Sequence, residues 1–142
     1  MLKAKLRKDF IKIFTLDKIA KMKIDEFVQG KQNRESFCYG LERTLDPLGK
    51  ITGSTCDKFG VYFSEKDHEY SFVSRFGTDY KSAFKNIKQS IIELIEAGNQ
   101  EDYDAIRKNL ISPMFKGKIL STLNVKLSTL SRIRVDKNII SC

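Results

Sequence analysis

Two runs of strict alternation either side of a polar turn limit what this chain can fold into more tightly than any other pattern in it. In the first run, Phe59, Val61 and Phe63 alternate with Gly60 and Tyr62. In the second, Tyr70, Phe72, Ser74 and Phe76 alternate with Ser71, Val73 and Arg75. The polar segment Ser64 to Glu69 separates them, and Gly77 closes the second. Side chains on a strand alternate between faces, so two such runs this close together predict an antiparallel β-hairpin.

The rest of the chain reads as helices. Leu2, Leu6, Phe10, Ile13 and Phe14 share one helical face with lysines on the other. Such a face docks on its own domain more often than on a membrane surface or a partner. Residues 16–28 read as a second short helix and a connecting segment, with Thr15 as N-cap. After a break at Gly30 to Asn33, a helix is expected from Arg34 to Leu45, capped by Asn33, with Phe37, Cys38, Leu41 and Leu45 inward. Asp46-Pro47-Leu48-Gly49 is turn chemistry, Lys50 to Thr52 a short strand, and Gly53 to Asp57 a loop. Thr78 or Asp79 caps a long helix to Ala97 with Phe84, Ile87, Ile91, Leu94 and Ile95 inward and Gly98 as its stop. A shorter helix from Glu101 to Leu110 has acids first and Arg107 and Lys108 last, the favourable dipole order. Ser112-Pro113 breaks it, and Lys118 to Leu123 is expected as a strand. The fold class is therefore α+β, a small antiparallel sheet built on a central β-hairpin and packed by several helices. A chain of 142 residues is one domain: a basic helix at 1–15, a body at 16–122 and a basic tail at 123–142.

Cys38, Cys56 and Cys142 are an odd, widely spaced set, and His68 is the single histidine. This argues against a disulfide framework or a zinc site and fits a cytoplasmic protein without a metal or other cofactor. No apolar run approaches the roughly 20 residues of a membrane helix, so no membrane association is expected. The net charge of +8 is uneven: residues 1–24 carry +6, residues 114–142 carry +5, and the middle carries −3. Basic flanks attract phosphate backbones by releasing counterions. The competing reading is a solvated lysine-rich surface.

Catalytic motifs are absent from the sequence. It has no phosphate-binding Gly-rich loop, no dinucleotide fingerprint and no nucleophile elbow. His68 reads as a solvated turn residue, not the base for a reactive thiol. Asp79-Tyr80-Lys81, with Asp67 and Glu69 upstream, resembles the acid-x-lysine arrangement of metal-dependent nucleases, but the triplet starts a helix and Asp79 already serves as its cap. The expectation is a chain that is not an enzyme and takes no small-molecule substrate. A nucleic-acid reading has its own constellation. Lys50, Thr52, Ser54, Thr55 and Lys58 frame the approach to the hairpin, Arg75 projects away from Phe72 and Phe76, and Lys116 and Lys118 flank Gly117. Lys50, Ser54, Lys58, Arg75, Lys116 and Lys118 are the candidate phosphate contacts.

Three segments together carry a family resemblance. They are Ser36-Phe37-Cys38-Tyr39-Gly40-Leu41-Glu42, then Leu48 to Ser54 running into Lys58 to Phe63, and Asn109 to Leu120. Their order resembles the region ahead of the AAA+ motor in McrB-like restriction GTPases, over roughly residues 16–122. The resemblance implies a DNA-recognition module of a restriction-type defence system, with motor and nuclease supplied elsewhere. The motor is missing from these residues. The family pattern also lapses after Thr122, from which a truncated or frame-altered reading of a longer gene is expected. The alternative is a protein-interaction module that uses the helix at 2–14 for assembly with a partner subunit.

Overall fold

The computed structural model describes residues 2–31, 33–45 and 56–123. Strand β1 (Val61–Ser64) pairs antiparallel with β2 (Glu69–Phe72), placing Val61 opposite Phe72 and Phe63 opposite Tyr70. His68 takes a positive φ of 53° in the turn, a conformation that histidine tolerates better than most residues. The strands are shorter than the alternation predicted. Phe59 and Phe76 are buried, but each is delivered by a tight 3₁₀ turn, Cys56–Phe59 and Ser74–Phe76. Gly60 marks the change. Its φ is +84°, and a Cβ there would lie 2.6 Å from Ile87 Cδ1, so only glycine lets the root of the hairpin pass this close to the core.

A second glycine fixes the outer edge. Gly30 has φ +112°, and a Cβ on it would sit 2.0 Å from the Phe63 carbonyl oxygen. Its neighbour Gln29 accepts a hydrogen bond from Phe63 N at 3.0 Å. The segment at 29–30 thus closes one edge of the two-stranded sheet.

Helices supply the remaining cover. Helix α1 spans Leu2–Ile13, α2 Leu16–Lys21 and α3 Ile24–Phe27. Thr15 caps α2 as expected, accepting from Lys18 N at 3.1 Å. Phe10 and Phe14 of the predicted apolar face are buried, but Ile13 is 60% exposed and faces away from the core. Helix α4 starts later than predicted, as Phe37–Tyr39, and widens into a π-helical turn, Gly40–Thr44. Ser36, not Asn33, is its cap, accepting from Tyr39 N at 3.2 Å. Asn33 instead takes Glu35 N and donates to the Asp25 carbonyl. The four residues assigned inward, Phe37, Cys38, Leu41 and Leu45, are fully buried.

Helix α5 spans Tyr80–Asn99, and all five of its predicted inner residues are buried. It runs through Gly98, which is buried within it, and the chain reverses instead at Gln100 and at Glu101, whose φ is 54°. Helix α6 is Tyr103–Lys108, and α7 is Pro113–Leu123. The strand expected at 118–123 is therefore helical. Pro113 has no N–H to lose at a first helical position and starts the helix instead of merely ending the one before it. Phe115, Ile119 and Leu120 then recur at helical spacing and are buried. The strand expected at 50–52 and the tail from 124 lie outside the described residues.

Phe37 joins these elements. Its ring lies 5.7 Å from Phe10, 5.2 Å from Phe14, 5.8 Å from Phe27 and 6.2 Å from Phe115. Phe115 in turn meets Phe59 edge-on at 4.9 Å, and Phe27 meets Phe84 at 5.5 Å. Replacing Phe37 by Ala should destabilise the domain by about 3–5 kcal/mol, read from the urea midpoint, because the surrounding rings come from several elements and cannot all collapse inward.

Candidate nucleic-acid interface

Four of the six candidate phosphate contacts fall among the described residues; Lys50 and Ser54 lie outside them. Lys58, Arg75 and Lys116 converge on the connection between α6 and α7. Ser112 Oγ donates to the Lys58 carbonyl at 2.7 Å, Arg75 Nε donates to the Leu110 carbonyl at 2.9 Å, and Lys116 Nζ donates to the Asn109 carbonyl at 2.9 Å. Most of this convergence is internal.

Lys116 and Lys118 are not surface residues. Lys116 is fully buried, and its ammonium also donates to the Ile106 carbonyl at 2.8 Å, at the end of α6. Unpaired carbonyls at a helix C-terminus carry partial negative charge, so a cation there is stabilised without a carboxylate. Lys118 is 5% exposed and donates to the Leu45 carbonyl at 2.6 Å, just past α4. The assignment of these two lysines to phosphate contacts is corrected on that ground. A signal was present in the sequence: once residues 113–123 are read as a helix, Lys116 falls beside Phe115, Ile119 and Leu120 on the apolar face. Lys58 is largely buried too, with a side chain 12% exposed and paired at 2.7 Å with Glu42, itself 14% exposed.

Arg75 remains on the surface, in a tight turn and not on a strand. Its guanidinium carbon lies 4.8 Å from the centre of the Phe76 ring. With Nε held by the Leu110 carbonyl, the two terminal amino groups make no further hydrogen bond among the described residues. The turn that carries Arg75 packs on α5, where Asn86 Nδ2 donates to the Phe76 carbonyl at 2.5 Å.

Helix α5 adds cations that sequence reasoning missed. Lys81, Lys85 and Lys88 lie in its N-terminal half, and Glu93 and Glu96 in its C-terminal half. Of these, Lys81 in the first turn and Glu96 in the last oppose the helix dipole. Lys88 is used internally, donating to the carbonyls of Ala20 and Met22, while Lys81 and Lys85 are exposed. At the start of α5, Tyr80 stacks on Tyr70 with ring centres 4.7 Å apart. Lys31 lies 5.2 Å over Tyr70 and 3.4 Å from the Asp25 carboxylate. The hydrogen bond with the Tyr70 hydroxyl raises the Lys31 pKa, so its charge is held firmly. The charge order in 80–99 was the readable signal for this surface.

The acids of the nuclease reading do different work. Asp79 caps α5, accepting from Ser82 N at 2.7 Å, while Ser82 Oγ accepts from Asp79 N. Asp67 is tied to Ser64 within the hairpin turn. Among the described residues no group of three or more His, Cys, Asp or Glu side chains could hold a metal ion, and no helix is long and apolar enough to cross a membrane. No family model, no curated protein and no solved structure matches the chain.

Two measurements check this description. Lys116→Met keeps the apolar stem and removes the donor, and should lower stability by about 1–3 kcal/mol in urea because carbonyls at the end of α6 lose a partner. The backbone hydrogen bond from Ser82, followed by its side-chain hydrogen bond, lowers the Asp79 pKa below the ordinary aspartate value. A depressed folded pKa stabilises the fold above the unfolded value and loses that contribution as pH falls through the folded value. Asp79→Asn preserves a good cap, so its stability should match the parent near neutrality and fall less steeply below about pH 4. An unchanged acid limb would remove Asp79 from the pH response.

Proposed function

We propose that this chain is a non-enzymatic DNA-binding module of a restriction-type defence system, acting with motor and nuclease activities carried elsewhere. The observation that carries the DNA reading is Arg75. Its guanidinium is already held by the Leu110 carbonyl and the Phe76 ring, and its terminal amino groups are left for a ligand. A planar fork fixed in advance loses little freedom when it meets a phosphate, and arginine suits phosphate recognition for that reason. The exposed Lys81 and Lys85 extend the positive surface along α5, the helix on which the Arg75 turn packs. The restriction context rests on the resemblance of the 36–42, 48–54, 58–63 and 109–120 segments to the pre-motor region of McrB-like proteins.

In this reading Lys116 and the Lys58 carbonyl hold the 109–112 connection as a platform, and Arg75 reads out from it. Lys50 and Ser54 keep their proposed role in the approach to the hairpin. Duplex DNA should bind in the submicromolar-to-micromolar range by fluorescence anisotropy and weaken steeply between about 50 mM and about 200 mM salt. Arg75→Ala, Lys81→Ala and Lys85→Ala should each flatten the log–log salt dependence by about one unit. Absence of binding at the lower salt, or binding that none of the three changes alters, would exclude this interface.

A further inference from the structure

We infer that the outer edge of β2 is a self-association site, where a second copy of this chain adds its own β2 antiparallel. The direction of the peptide groups carries the inference. Phe63 N donates to the Gln29 carbonyl, away from β2. The residue opposite Phe63 is Tyr70, so the N–H and C=O of Tyr70 point away from β1. Val73 N donates to the Gly60 carbonyl at 2.8 Å. Alternation then turns Ser71 toward β1 and Phe72 outward with Tyr70. Among the described residues nothing hydrogen-bonds the outward peptide groups of Tyr70 or Phe72. Gln29 closes the β1 edge of this sheet, and the β2 edge is left open. A row of unpaired N–H and C=O groups is a template for another strand.

The edge is its own complement. Antiparallel pairing centred on Ser71 sets Tyr70 of one copy opposite Phe72 of the other. Each such pair exchanges both N–H···O bonds, so every outward group on the edge is satisfied. The rings of Tyr70 and Phe72 then lie side by side across the new boundary, a favourable cross-strand pair. The small Ser71 side chains meet at the two-fold axis. Charge agrees with this direction. The hairpin turn holds Glu65, Asp67 and Glu69 against Lys66, and Glu69 is exposed with no ion pair among the described residues. Arg75, beyond the other end of the edge, is also exposed and has no ion pair among them. Antiparallel pairing brings the acidic end of each copy toward Arg75 of the other, whereas parallel pairing would set like charges together. Lys31 and Asp25, the charges beside Tyr70, offset each other at 3.4 Å.

The test is the association state of the full chain by sedimentation equilibrium without DNA. So short an edge buries less than a stable interface needs, and a dissociation constant on the order of 100 μM is expected. Ser71→Lys sets two ammonium groups opposite each other and should weaken association by about tenfold or more; its urea midpoint reports that it has folded. Ser71→Cys gives an independent reading. The Cα atoms of such a central pair lie about 4.5 Å apart, within disulfide range, so mild oxidation should link two copies, with the bridge mapped to position 71 in both. A chain that stays monomeric at about 1 mM, or association that Ser71→Lys leaves intact, would overturn the site. So would Tyr70 and Phe72 amides already protected from hydrogen exchange in the dilute monomer, because the chain's own residues would then cover the edge.

Discussion

The ring of Phe37 touches four other phenylalanines, from α1, the residue after α1, α3 and α7. Helices α1, α3, α4, α5 and α7 and the turn that leads into the hairpin meet at that side chain or one ring away from it. A two-stranded sheet cannot bury a core by itself, so in this fold the aromatic cluster does what a larger sheet does elsewhere. The hairpin reaches it through Phe59, α5 through Phe84 and Ile87. Two glycines, Gly30 and Gly60, are required because the hairpin is pressed against its neighbours on two sides.

Charge is built into this fold as well as spread over it. Lys116 and Lys118 run their stems along the apolar face of α7 and place their ammonium groups on carbonyls near the ends of α6 and α4. Each neutralises partial negative charge where a helix stops; Lys116 ties α7 to the neighbouring α6, and Lys118 ties it to a distant part of the chain. Lys58 and Glu42 make a similar tie between α4 and the approach to the hairpin. Formal charge counted along a sequence therefore overstates the charge available to a ligand.

What remains outside is organised differently. Arg75 is held by two contacts yet presents free donors, and α5 carries Lys81 where its dipole disfavours it. Under the proposed function both would face an anionic partner.

The sequence alone determined the hairpin and its alternation, the inner face of α5, the cap at Thr15, the choice of Thr78 or Asp79 as the cap of α5, and the inward set Phe37, Cys38, Leu41 and Leu45. These rest on periodicity and local hydrogen bonding, which neighbouring residues express by themselves. Tertiary structure decided the rest. Residues 118–123 carry too short a pattern to separate strand from helix, and Pro113 with the packing of Phe115 and Ile119 selected the helix. Gly98 looked like a stop, but the buried path of α5 carried the helix past it. Whether a lysine meets a phosphate or a carbonyl depends on which helix end folds over it. That information lies in contacts such as Lys118 with Leu45, 73 residues apart, and no local pattern records it.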